Sequence, residues 1–186
     1  MTETGGGRMV MSAADIDRAL RRIAHQIIEH NAGVDTVALV GIPTRGVHLA
    51  RRLGELIGGI EGKGVPVGSI DTSLYRDDLR RRPEAHRIRV TQIDFPVDDR
   101  DIVLVDDVFF TGRSIRAAMD GLMAFGRPRT IQLAILVDRG HRELPIRPDY
   151  VGRNVPTHRG QDVKVRLREH DGDDGVSIID AAGGAS

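Results

Sequence analysis

Three short runs of this chain, TVALVG (36–41), DIVLV (101–105) and IQLAILVD (131–138), are apolar at nearly every position. A half-exposed strand alternates apolar and polar residues, because successive side chains point to opposite faces. A run that is apolar on both faces must be covered on both, as in a parallel sheet clad by helices. Helical patterns lie between these runs. Ser12 can cap a helix reaching about His30, with Ile16, Leu20, Ile23 and Ile27 recurring on one side. A second helix around 47–57 offers Leu49, Ala50, Leu53, Leu56 and Ile57, and a third runs from about Ser114 to Phe125. VPVGSIDTSLY (65–75) reads as a further strand. An Arg-rich interruption, RDDLRRRPEAHR, separates it from IRVTQID (88–94). The expected fold class is α/β, a central mostly parallel sheet flanked by helices.

Beyond Asp138 the pattern changes. VKVRLRE and GVSIID alternate or nearly so, which suits half-exposed strands joined at the DGDDG turn. No internal repeat or long linker divides the chain, and 186 residues suit one domain. We expect that domain over residues 12–180. Residues 1–11 and 181–186 are Gly-rich or polar and are expected to be flexible.

The formal net charge is zero, so any nucleic acid must be held by a local patch rather than by a global positive field. Lys63 and Lys164 are the only lysines; every other cation is arginine, whose planar fork suits phosphate and carboxylate. With no cysteine, disulfide and thiolate chemistry are excluded. No signal-like or membrane-spanning run is present, so we expect a cytoplasmic protein with no membrane partner.

One apolar run heads into two adjacent carboxylates, giving VLVDDVFFTGRSI (103–115). In an open parallel sheet, ligands bind beyond the carboxyl ends of the strands, where Asp106 and Asp107 are expected. The loop that follows leads into a helix N-terminus, whose free N–H groups and dipole favour an anion. Gly112 allows close backbone approach, and Thr111 and Ser114 add hydroxyl donors. Such a loop fits one phosphate. Carboxylates beside it suit vicinal hydroxyls or a hydrated metal. Together they describe a ribose 5-phosphate. A second strand end, GIPTRG (41–46), makes another Gly-flanked turn with Thr44 beside Arg45. Successive N–H groups in such a turn form an anion nest.

VLVDDVFFTGRSI resembles the phosphoribosyl-pyrophosphate (PRPP) motif of type I phosphoribosyltransferases. The resemblance implies that Asp106 and Asp107 hold the ribose hydroxyls while Val108, Phe109, Phe110, Thr111, Gly112, Arg113 and Ser114 wrap the 5-phosphate. GIPTRG is similar to the pyrophosphate loop of that family, which often holds a non-proline cis peptide. It implies substrate contacts from Thr44 and Arg45, with Arg45, Asp106 and Asp107 as the catalytic residues. Mg2+ would be held by PRPP and water, with no direct protein ligand. The Arg-rich stretch corresponds to a mobile lid, from which Arg76 or Arg89 would meet the pyrophosphate.

DRGHRELPIRPDYVGRNVPT (138–157) carries three prolines, two glycines and four arginines. With SLYRDDL and LVDDVFFTGR it resembles the pyrimidine-operon attenuation regulators, uracil phosphoribosyltransferases that also bind messenger RNA. The likeness runs from about residue 10 to residue 180. It implies a small hood formed by the C-terminal strands, uracil near Arg139, and a backbone contact around Val163. It also implies PRPP, uracil, UMP or UTP and a pyrimidine-gene mRNA leader as partners, and a homodimer or larger assembly. On the first helix Arg18, Arg21, Arg22 and His25 share one stripe, at i, i+3, i+4 and i+7. Arg142, Arg147 and Arg153 could extend that patch toward RNA. The alternative is a type I enzyme for another base, such as hypoxanthine or orotate, without RNA regulation.

Overall fold

Alternation along three neighbouring strands builds two cores from one sheet. Val37, Leu39, Val103, Val105, Ala134 and Leu136 face one side, and Ala38, Val40, Ile102, Leu104, Leu133 and Ile135 face the other. The computed structural model describes residues 7–73 and 91–180. In chain order these form β1 (Gly7–Ser12), α1 (Ala13–His30), β2 (Val37–Gly41), α2 (Arg45–Glu61), β3 (Val67–Ser69) and β4 (Asp101–Phe109). They continue as α3 (Arg113–Met123), β5 (Thr130–Asp138), β6 (Tyr150–Asn154), β7 (Gln161–Arg166), α4 (Arg168–Asp171) and β8 (Gly175–Asp180). The main sheet is parallel throughout, in the order β3-β2-β4-β5-β6.

Helices α1 and α2 cover the first face, α3 the second. Helix α1 starts where a capping box closes it. Ser12 Oγ accepts from the Asp15 N–H, and the Asp15 carboxylate accepts from the Ser12 N–H. Its inward stripe is the expected one. Ile16, Ile23 and Ile27 lose nearly all contact with water, worth about 1.5–3 kcal/mol each. Helix α2 ends at Gly62, whose φ of 70° is readily adopted without a side chain. A separate antiparallel sheet, β1-β8-β7, forms the hood and joins the first core through Met11, Val163, Val165, Val176 and Ile178.

The structure departs from the sequence reading in four places. Residues 7–11, expected to be flexible, belong to β1, which pairs antiparallel with β8. Of the strand expected over 65–75, the described residues 65–73 form only β3, and of 88–94 the described part makes one bridge, Gln92 to Ser69. Strand β6 arises inside the turn-rich 138–157 segment and extends the main sheet. Strand β4 runs on through both aspartates to Phe109 instead of stopping at Val105. Phe109 is therefore buried in the second core, whereas Phe110 stays exposed. No helix among the described residues is long and apolar enough to cross a membrane.

Candidate active site

Two strand-to-helix turns meet at the carboxyl end of the sheet. The first leaves β2 at Gly41 and enters α2 at Arg45, and the peptide between Pro43 and Thr44 is cis, as the family resemblance implied. Thr44, at the helix N-cap, makes no side-chain capping bond. The first N–H groups of α2 thus remain available to an anion. Gly46 packs directly on the neighbouring strand. A Cβ there would overlap the Val105 carbonyl and stand 3.1 Å from Asp106 Cα. That contact sets the first turn of α2 against the start of the doubled aspartate.

The second turn leaves β4. Asp106 is buried and Asp107 half-buried. Asp106 Oδ1 accepts from the Asp107 N–H at 2.9 Å, and Asp107 Oδ1 from the Val108 N–H at 2.9 Å. Each carboxylate is thereby oriented by the backbone that follows it. Gly112, with φ 92°, is the N-cap of α3 and has no side chain to offer, while Thr111 Oγ1 accepts from the Arg113 N–H at 3.4 Å. A hollow of about 250 Å³ is lined by Asp106, Val108 and residues 109–115. Phosphate-sized anions suit such a cradle of N–H groups and hydroxyls, and acceptor oxygens beside it suit a sugar.

The hood closes the site on the β5 side. Arg139 is buried, and its guanidinium donates to the Asp162 carboxylate at 2.8 Å, to the Gln161 carbonyl and to Thr157 Oγ1. It also stacks over the Phe110 ring, with 4.1 Å from Cζ to the ring centroid. The adjacent Val163 N–H donates to Asp162 Oδ1, so Arg139 and the start of β7 form one cluster. A second hollow, about 350 Å³, is lined by Asp138, Arg139, Gly140, His141, Asn154, Pro156 and Thr157. His141 Nε2 lies 2.6 Å from the Thr157 carbonyl oxygen. Among the described residues no three His, Cys, Asp or Glu side chains are grouped to hold a metal ion. The paired aspartates fit the water shell of an ion carried in by a substrate.

Arg45 sits at the head of α2, but its guanidinium is occupied. Nε and Nη2 donate to the two oxygens of Asp171, at 3.0 and 2.7 Å. This bond, and the attraction of Asp107 beyond it, raise the Arg45 pKa, and Arg45 holds the Asp171 carboxyl below its usual range. The sequence carried no sign of Asp171, which lies 126 residues away. Thr157 and His141 were inside the turn-rich segment, without a spacing to single them out. Arg76 and Arg89 fall outside the described residues.

Several of the basic residues named for RNA are engaged within the fold. Arg22 donates to the Val151 and Gly152 carbonyls, clasping α1 to β6, and Arg153 donates to the Val10 carbonyl of β1. Arg18 and Arg21 are exposed, each paired with an aspartate of its own helix. Arg21 and His25 line a groove between α1 and α2 together with Arg52 and Arg168. Arg142 adjoins Glu143, whose N–H donates to the Thr111 carbonyl in the turn before α3.

The phosphoribosyl transferase domain family matches residues 12–169. The bifunctional protein PyrR of Acetivibrio thermocellus is 60% identical over 171 residues, covering 92% of this chain and 93% of that protein. Its counterpart in Chloroflexus aurantiacus is 54% identical, covering 94% and 96%. Among solved structures, the hypoxanthine phosphoribosyltransferase of Trypanosoma cruzi superposes with a TM-score of 0.71, covering 94% of this chain and 97% of that one. At 14% identity, that likeness speaks for the fold alone.

Proposed function

Because the chain belongs to the phosphoribosyl transferase family and, within it, to the bifunctional PyrR proteins, we propose that it transfers ribosyl 5-phosphate from PRPP to uracil. The observation that carries this reading is the pairing of two anion turns at neighbouring strand ends, locked together by Gly46 against β4. The turn from Gly41 to Gly46 holds pyrophosphate, the loop from Phe110 to Ser114 holds the 5-phosphate, and Asp106 and Asp107 accept from the ribose hydroxyls. Uracil lies by Arg139 and the start of β7. The bond from the anomeric carbon to pyrophosphate oxygen breaks largely before uracil N1 bonds to that carbon and gives up its proton. The products are UMP and pyrophosphate. Positive charge develops on the ribose ring and negative charge on the leaving group, so alignment and charge stabilisation carry the catalysis. Bound Mg2+ would supply charge neutralisation at the pyrophosphate, meeting this chain through water at the aspartates.

The fold alone does not select the base, since hypoxanthine enzymes share it. Uracil, hypoxanthine and orotate offered together with PRPP decide the matter. UMP is the expected product, and a preference for either other base would overturn the assignment.

The same protein binds RNA from pyrimidine genes, the second function implied by its resemblance to the attenuation regulators. The groove between α1 and α2 supports it with Arg21, His25, Arg52 and Arg168, interleaved with Asp17, Glu55 and Asp174. Arg22 serves as a structural clasp, so Arg18 and Arg21 are the cleaner probes. Arg18→Glu with Arg21→Glu should weaken binding of a pyrimidine-gene leader by roughly tenfold or more at low salt. The slope of affinity against salt should fall by about one for each phosphate that is no longer neutralised. Uracil transfer should stay near wild type. Titration of labelled leader at two salt concentrations, with and without UMP, measures this. UMP should tighten RNA binding, and RNA should tighten UMP binding by the same factor. Equal affinity for an unrelated RNA, unmoved by both substitutions, would leave an enzyme only.

A further inference from the structure

We propose that Asp171, in the hood, is a positioning residue for Arg45, fixing its guanidinium before the pyrophosphate arrives. The inference rests on the reading that Arg45 meets the leaving group. An arginine at a loop-to-helix turn is ordinarily free to sample many rotamers, and ordering it on substrate binding costs entropy. Here the ordering is already done. Asp171 takes Nε and Nη2 in a two-point bond, with the two side chains 25% and 16% exposed. The carboxylate is itself anchored, because Asp171 Oδ2 accepts from the Leu167 N–H at 2.9 Å.

The hood turn that carries Asp171 is held a second time. Arg52, seven residues along the same helix and so on the same face, bonds both Glu169 and Asp174. The first two turns of α2 are therefore fastened to the turn between β7 and β8. A two-point bond through Nε and Nη2 leaves the Nη1 donors uncommitted among the described residues. Those donors keep the planar geometry that suits phosphate oxygens. Asp107 also attracts the Arg45 charge, so the guanidinium stands within electrostatic reach of the ribose carboxylates as well as being bonded to the hood. The hood thus acts on the leaving-group side as well as beside Arg139.

Asp171→Asn keeps the shape and the acceptor for the Leu167 N–H but removes the charge that fixes the fork. It should lower kcat/KM for PRPP about tenfold, since misplacing a reacting group by a fraction of an ångström is costly. KM for uracil should not move. In an Arg45→Ala background the same change should add nothing further, a result that a merely structural role for Asp171 would not give. Asp171→Glu, which restores the charge, should recover part of the loss. A wild-type rate for Asp171→Asn, or losses that multiply in the double variant, would overturn the inference while leaving Arg45 at the pyrophosphate. A wild-type rate for Arg45→Ala would remove that role and the inference with it. Should Asp171→Asn fail to fold, Arg45→Lys decides: it keeps the charge without the fork, and activity near wild type overturns the proposal.

Discussion

The Asp106→Asn, Asp107→Asn double variant should lose about a hundredfold or more of its kcat/KM for PRPP while remaining folded. Asparagine has the shape of aspartate and retains an acceptor oxygen. The internal bonds from Asp106 Oδ1 to the Asp107 N–H, and from Asp107 Oδ1 to the Val108 N–H, can therefore survive. What disappears is charge. A hydrogen bond to an ionised group is worth about 1.5–3 kcal/mol, against roughly 1 for a neutral one. Losing that difference at two ribose hydroxyls, together with the field that favours a positive ribose ring, exceeds the roughly 2.7 kcal/mol of a hundredfold effect. Steady-state UMP formation checks the rate, and thermal melting checks the fold. UMP made within a few-fold of the wild-type rate would remove the sugar from this site.

Gly46→Ala should damage the enzyme comparably without removing any polar group. Its methyl would press on the Val105 carbonyl and on Asp106 Cα, both backbone atoms of β4. That strand cannot retreat, because β2 and β5 bond it on either side. Helix α2 must move instead, taking Arg45 and the cis turn with it. Overpacking of this kind costs about 1–3 kcal/mol of stability. A displacement near 1 Å costs about a hundredfold in rate. Gly59 on the same helix is the control, since a Cβ there meets nothing within 4 Å. Gly59→Ala should be neutral or stabilise by up to about 1 kcal/mol, with activity unchanged. Full activity in Gly46→Ala would mean that the two turns need no fixed spacing.

The hood was legible only in part. The alternation of VKVRLRE and GVSIID disclosed β7 and β8, but β1 lies in a Gly-rich stretch that reads as a frayed end. It is a strand because β8 offers it an unpaired edge, and that edge is over 160 residues away. Strand β6, YVGRN, contains glycine and arginine and has no periodicity of its own. Pairing with β5 makes it a strand. Nothing in the sequence separates Phe109 from Phe110; Phe109 is buried because β4 runs on beside its partner, with Val108 and Phe109 paired to Val137 and Asp138.

By itself the sequence determined whatever depends on neighbours along the chain. The Ser12 cap of α1, the doubly apolar strands and the TGRS loop are all contiguous, and their backbone geometry follows from residues a few positions apart, whereas the cis peptide came only with the family resemblance. Tertiary structure decided which distant side chains share a charge. It paired Arg45 with Asp171, gathered Arg139 with Phe110, Thr157 and Asp162, and turned Arg22 from a surface cation into a clasp on β6. An arginine's fork is satisfied by whichever acceptor the packed elements bring within about 3 Å, and no local pattern encodes an acceptor that lies in another element of the fold.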